Sequence, residues 1–373
     1  MNKTVNTRYG TMEYLDADSV VSRSLAMYGE WAQAELDLLA KIIRPGDVVL
    51  DVGAFLGTHT LAFAKMVGTS GAVHSFEPRA DIRQILASNV ERNRLPQVQI
   101  EDCALGDVAG TLKIEAVNTQ DNLNFGGLAI EEVAASDNSQ TELISLKTLD
   151  SYGLTRIDLI KIDAEGMEAK VIIGGINSIR GIQPIVFAEC NDLENGWNTL
   201  NALRNLDYKV YGFISKAFNS ENFLAESHNI FGSAAEVSIL GVPSSKQTAV
   251  MQVFDLARLP KIDSVDDLSL LLLQKPQYAE EAWGRSAAGA VLGLNFTTPA
   301  SRQLQVRADE LETDRNSLLA NLAAAKVDLE NARAQVDASL AEAVKLRAQL
   351  EELQVFRQTS LVYRWRQLVE QIR

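Results

Sequence analysis

The chain has 373 residues, 46% of them hydrophobic and 23% charged, which excludes disorder throughout. At roughly 150 residues per domain, two to three units are expected. Thirty-five basic residues against 49 acidic ones leave a net charge of −14, which argues against a chain-wide electrostatic grip on nucleic acid.

The first 45 residues mix turns with a helical stretch around 31–43, and an N-terminal helical segment is expected there. No apolar run long enough for a signal peptide or a membrane span is found. Cys103 and Cys190 are the only cysteines, so a disulfide framework is excluded and a reducing, cytoplasmic setting is expected. The three histidines and two cysteines show no zinc spacing.

Residues 46–243 alternate short apolar runs with helical ones. Strands are predicted at 48–52, 72–76, 98–100, 157–162 and 184–189. Helices are predicted at 60–67, 81–94 and 169–173. This alternation predicts an α/β fold, a doubly wound, Rossmann-like parallel sheet. Ligands of such sheets sit outside the carboxyl ends of the strands. Asp51-Val52-Gly53, Glu77, Asp102-Cys103, Asp163 and Glu189 all fall at those ends.

Four motifs carry chemistry. In Asp51-Val52-Gly53-Ala54-Phe55-Leu56-Gly57, Gly53 permits a sharp turn and a close ligand approach, and Gly57 opens a helix. Phe55 fills the place of the second glycine of a dinucleotide loop, so a pyrophosphate is disfavoured and a smaller nucleoside fits better. Glu77 of Phe76-Glu77-Pro78, 26 residues after Asp51, can accept hydrogen bonds from both ribose hydroxyls. Pro78 stiffens the turn behind it. Asp102, after the third strand, can accept from an adenine amino group. Cys103 reads as a packed residue, because no basic partner adjoins it. Finally, Lys161-Ile162-Asp163-Ala164-Glu165-Gly166-Met167-Glu168 crowds three carboxylates and a lysine at one strand end. Asp163 is the expected general base toward a hydroxyl, with Lys161 or His59 stabilising charge. A divalent cation on Asp163, Glu165 and Glu189 is the less favoured reading, and no metal is expected.

These segments, with Asn89, Asn93 and Ala104-Leu105-Gly106 in the same order, resemble the FkbM family of S-adenosylmethionine-dependent methyltransferases. The resemblance covers residues 25–243. It implies a class I methyltransferase fold with a seven-strand sheet, S-adenosylmethionine as cofactor, and O-methylation of sugars or natural products. By that resemblance Asp51, Gly53, Ala54, Phe55 and Gly57 line the methionine and ribose pocket. Glu77 and Pro78 hold the ribose, and Asp102, Cys103 and Ala104 flank adenine. Lys161, Asp163 and Glu165 face the acceptor. Phe55 departs from the asparagine common in the family. Tyr28-Gly29-Glu30-Trp31 is similar to a stretch that precedes the domain in related members and would set Glu30 near the cofactor.

Residues 244–301, punctuated by prolines, carry no legible motif and are expected to be a linker or helical region. Residues 302–373 contain neither Gly nor Pro. Leu304, Leu311, Leu318, Ala325, Ala332, Ser339, Leu346 and Leu353 recur every seven residues. That spacing predicts a coiled coil, on the order of 100 Å long if continuous, and a homo-oligomer through 302–356. Residues 357–373 turn basic and aromatic, as an anionic membrane surface or a glycan-assembly partner would require. The expected function is O-methylation of a sugar hydroxyl, in a surface polysaccharide or glycan precursor, in the cytoplasm or peripherally at the inner membrane. The alternatives are a catalytically silent methyltransferase-like scaffold oligomerised by the coiled coil, and a nucleotide-sugar or NAD enzyme. The absent second glycine and the Lys161–Glu168 motif argue against the latter.

Overall fold

A computed structural model describes residues 2–115, 141–253, 255–275, 332–357 and 360–372, with isolated positions 287, 322 and 326. The chain divides into two units, 1–294 and 295–373.

The first unit opens with a hairpin, β1 (Asn2–Thr7) and β2 (Gly10–Leu15), where a helical segment was expected. The alternation Met12, Tyr14 buries one face of β2. Gly10 at φ +136° closes the turn. Helices α1 (Val21–Tyr28) and α2 (Gln33–Leu39) follow, so the helical expectation holds only for the later part of the segment. Asn89 and Asn93 clamp the hairpin. Asn89 accepts from Glu13 N and donates to Glu13 O, and Asn93 does the same with Thr11. Two side-chain amides thus satisfy an exposed strand edge.

Then come β3 (Val48–Val52), α3 (Thr58–Val67), β4 (Ala72–Phe76), α4 (Ala80–Arg92) and β5 (Val98–Glu101). A small sheet of β6 (Cys103–Leu105), β7 (Gly110–Glu115) and β8 (Thr141–Lys147) is inserted. The main sheet resumes with β9 (Leu159–Ile162), α5 (Glu168–Gly174), α6 (Ile176–Ile182), β10 (Ile185–Glu189), α7 (Leu193–Arg204), β11 (Tyr208–Lys216) and β12 (Ala235–Pro243). Its seven strands run in the order β11-β12-β10-β9-β3-β4-β5. All pairings are parallel except those of β12 with β10 and β11.

Adjacent residues of β3 feed opposite cores: Leu50 and Val52 pack with α5 and α7, and Val49 with α3. Fully burying each such side chain contributes about 1.5–3 kcal/mol. Both faces are therefore covered, as the continuous apolar runs predicted.

Residues 244–275 are not a plain linker. Helix α8 (Gln247–Val253) lies against β12, and α9 (Val265–Leu272) packs on α7 and β11 through Leu268, Leu271 and Leu272. A capping box of Ser264 and Asp267 starts α9.

In the second unit, residues 332–357 form helix α10, followed by α11 (Leu361–Ile372). The heptad positions Ala332, Ser339, Leu346 and Leu353 lie on α10; Leu304, Leu311, Leu318 and Ala325 lie outside the described residues. Leu346, Leu350 and Leu353 are exposed, as are Leu361, Trp365 and Leu368 of α11. Among the described residues no helix is long and apolar enough to cross a membrane.

Candidate active site

One open cavity lies over the carboxyl ends of β3, β4, β9 and β10, with roughly 1300 Å³ of free space including its mouth. The turn after β3 shapes it. Gly53 has φ +78°, and a Cβ there would lie 1.7 Å from the carbonyl oxygen of Asp163, so only glycine lets the two strand ends meet. Phe55 also takes a left-handed conformation, at φ +48°. Its amide is held by Glu77 Oε2 at 3.0 Å, while Glu77 Oε1 accepts from Arg79 N at 2.9 Å. Glu77 is buried, and burial pushes its carboxyl up to about 7. The Phe55 contribution made visible here is its backbone N–H, whereas its side chain packs with the α3 core.

At the other end, Lys161 and Asp51 are register partners across β9 and β3. Lys161 Nζ lies 3.5 Å from Asp51 Oδ1 and 3.2 Å from Asp163 Oδ2. Burial alone would lower the lysine, but Asp163 and Asp51 overcome it and hold the ammonium protonated. Burial would likewise raise Asp163; the Lys161 charge outweighs it and keeps this carboxyl below its usual range. Glu165 behaves oppositely: burial and the Asp163 charge push it up to about 8. Burial and the same neighbour raise Glu189 strongly. Glu165 sits at φ +47°, in a turn fixed by Glu168 Oε1, which accepts from Ala164 N and Gly166 N.

Of the expected residues, Gly53, Ala54, Phe55, His59, Glu77, Pro78, Cys103, Ala104, Lys161, Asp163 and Glu165 line this single cavity. Four do not. Asp51 lies behind the turn, accepting from Thr60 Oγ1 at 2.6 Å. Gly57, at φ +91°, serves the start of α3. The Asp102 side chain is 74% exposed, opposite Lys147. Glu30 is bound to Arg8 Nη2 at 2.6 Å and accepts from Phe223 N, pinning the hairpin to the 219–223 loop. Trp31, its neighbour, lines the cavity instead. Cys103 Sγ is 3.0 Å from Tyr152 Oη, and burial raises its thiol, as suits a packed residue.

The cavity also contains residues the motifs did not single out. Glu35 from α2 and Glu236 from β12 reach it. Glu35 Oε1 accepts from Ser215 and Ser238, and its Oε2 is 3.5 Å from His59 Nε2. Asp163, Glu165 and Glu189 bring oxygens within 4.8 Å of one another, a spacing a cation could use. Protein cations already stand there: Lys161 on Asp163, and Lys275 at 3.9 Å from Glu189 and 2.6 Å from Glu236.

Residues 51–214 match the methyltransferase FkbM domain. The chain thus carries an FkbM domain. The 31-O-demethyl-FK506 methyltransferase FkbM of Streptomyces tacrolimicus is 28% identical over 188 residues, which is 43% of this chain and 72% of that one. A methyltransferase FkbM structure from Methylobacillus flagellatus aligns at TM-score 0.33 and 15% identity, covering 56% of this chain and 50% of that one. A SAM-dependent O-methyltransferase from Thermotoga maritima aligns at TM-score 0.37 and 14% identity, covering 65% and 77%. The protein is an S-adenosylmethionine-dependent methyltransferase. The FkbM domain's own residues fit that cofactor: the Gly53 turn leaves backbone room, and the buried carboxyl of Glu77 would offer ribose hydroxyls an acceptor.

Proposed function

We propose that the protein methylates a hydroxyl of a sugar, in a surface polysaccharide or glycan precursor. The observation that carries this reading is a single cavity with Glu77 at one strand end and the ionised Asp163 at another. Bound S-adenosylmethionine supplies a methyl group on a sulfonium, already activated for transfer. The protein's work is alignment and proton removal. Glu77 anchors the ribose, and Ala54 and Ala104 leave room along the nucleoside. Asp163, kept charged by Lys161, would accept the proton of the acceptor hydroxyl as the hydroxyl oxygen bonds to the methyl carbon and the methyl–sulfur bond breaks, its electron pair staying on sulfur. Glu165 and Glu189, which hold their protons to higher pH, are hydrogen-bond partners for neighbouring hydroxyls. His59 lies on the same wall and faces Glu35.

Charge narrows the acceptor. Glu35, Asp163, Glu165, Glu189 and Glu236 all line the cavity, with Lys161 already committed to aspartates. An anionic acceptor would meet the ionised Asp163 at short range, and bringing like charges together there costs affinity. A neutral or amino sugar would place donors on these oxygens, with Trp31 available beneath a ring face.

In the same reading, the second unit joins copies of the chain through 302–356, and 357–373 docks at a membrane or glycan-assembly partner. The exposed apolar residues of α10 and the Arg364, Arg366 and Trp365 cluster on α11 support it.

Calorimetric titration with S-adenosylhomocysteine, against NAD as control, tests the site. Binding of the first alone is expected. Equal or exclusive binding of NAD would overturn the reading. Methyl transfer to neutral sugars and not to uronic acids would then define the acceptor.

A further inference from the structure

The most deeply buried cation near the acidic wall lies outside the FkbM domain. Lys275 is 1% exposed and ends the segment that carries α9. Its backbone N donates to Leu272 O, and Leu268, Leu271 and Leu272 anchor the helix in the core. Its position is therefore fixed by packing and not by the site itself.

The side chain makes a directional set of contacts. Nζ donates to Glu236 at 2.6 Å and to Asn191 Oδ1. That second bond orients the Asn191 amide: with Oδ1 turned to the lysine, Nδ2 must face the other way. Nδ2 there donates to Glu189 Oε2 at 2.7 Å and approaches Glu165 Oε2 at 3.4 Å. The buried ammonium, which can only donate, takes the amide oxygen, and the carboxyl oxygens of Glu189 and Glu165 take the amide N–H groups, so the two sides together fix the orientation. Lys275 itself does not line the cavity, so it acts through Asn191 and the carboxyls of Glu189, Glu165 and Glu236.

We propose that Lys275 is a positioning residue for methyl transfer, delivered by the segment after the FkbM domain to orient Asn191 and hold Glu189, Glu165 and Glu236 in their working places. The proposal rests on the methyltransferase reading of the cavity.

The same ammonium sets the charge of the wall. Glu189 and Glu236 face Lys275, and also Asp163 and Glu165 from the β9–α5 turn. Glu35 faces Glu236 from α2, Glu168 faces Glu165 from α5, and Lys161 and His59 face Asp163. Buried Cys190, beside Asp192, feels the lysine as well. Lys275 lowers the proton affinity of every carboxyl it faces, so its removal makes these groups ionise at higher pH.

The test needs no acceptor. S-adenosylmethionine carries a sulfonium charge that S-adenosylhomocysteine lacks, so the ratio of their affinities reports the charge on the wall. The ratio is measured by calorimetry from pH 5.5 to 9 in the full chain. In the wild type it rises with pH as the carboxyls ionise. In Lys275→Met and Lys275→Gln the midpoint is expected to move up by about one pH unit, with S-adenosylhomocysteine affinity within about twofold. Lys275→Arg is expected to restore the wild-type midpoint. Unmoved midpoints in both neutral variants would overturn the proposal. So would loss of folded circular-dichroism signal in both, which would make the lysine purely structural. If S-adenosylhomocysteine does not bind the wild type, it is the methyltransferase reading of the cavity that fails.

Discussion

Asp163 and Glu165 stand two residues apart and titrate in opposite directions. The cause is local: Lys161 bonds Asp163 at 3.2 Å, whereas Glu165 has burial and the Asp163 charge against it. In the proposed reaction such a pair would divide the work, one carboxylate ready to take a proton and one holding its own. Asp163→Asn is expected to keep S-adenosylhomocysteine affinity and lower methyl transfer by about 10²–10⁴-fold, measured with labelled cofactor. Unchanged transfer would remove the base assignment. Glu77→Gln is expected to weaken S-adenosylhomocysteine by about 10-fold or more, the scale of a charged hydrogen bond. The ionised form is the better acceptor for ribose hydroxyls, so wild-type affinity should fall as pH drops through about 7. Glu77 is also raised above its unfolded value. Its contribution to the stability of the free fold is therefore present below the unfolded value and lost as pH rises through about 7. At this scale Gly53, Glu77 and Asp163 were legible because each directly follows a strand, and Lys161 because it lies two residues before Asp163 in the same motif. Glu35, Glu236 and Lys275 were not: they arrive from α2, β12 and the end of α9, and no spacing in the chain relates them.

Elements were legible where burial on both faces leaves an unbroken apolar run. Ile185–Ala188 is of that kind, and Val48–Val52 and Ala72–Phe76 come near it, broken only by Asp51 and by His74 and Ser75. The last two strands of the sheet were not read from the residues. Gly212 and Gly241 interrupt β11 and β12, and both glycines are packed against leucine side chains that leave no room for a Cβ without adjustment. The resemblance supplied the seven-strand count that periodicity did not. The N-terminal hairpin was missed for a different reason: its strand edge is satisfied by the side chains of Asn89 and Asn93, a long-range pairing with no local signature. The turn after β3 makes a sharp element-level expectation. Gly53→Ala would hold alanine at φ +78° with its Cβ inside the Asp163 carbonyl. Left-handed strain alone costs about 1–3 kcal/mol, and separating the two strand ends adds to it. Urea unfolding should show a loss of about 3 kcal/mol or more, with S-adenosylhomocysteine binding abolished.

At the scale of the molecule, the domain that the family match delimits is smaller than the unit that must fold. The match ends at residue 214, inside β11. Yet β11 is held along its whole length by β12, which begins at Ala235 and also separates it from β10. A chain cut at 214 would leave a sheet edge with β11 detached and the apolar residues Val237, Ile239 and Leu240 missing from two cores. It would also lack Glu236 from the cavity wall, and a start at residue 51 would remove Trp31 and Glu35 as well. The compact unit instead runs to residue 294. A fragment of residues 1–294 is therefore expected to fold and bind S-adenosylhomocysteine as the full chain does, and a fragment of residues 51–214 to do neither. The second unit enters by contrast: α10 exposes Leu346, Leu350 and Leu353, side chains whose burial on self-association would each contribute about 1.5–3 kcal/mol. Sedimentation equilibrium should accordingly give a multiple of the 40.8 kDa chain mass for the full protein and a single-fragment mass for residues 1–294. A full chain that sediments as one copy would remove the oligomer while leaving the cavity and its chemistry untouched, because every residue of that cavity lies before 239.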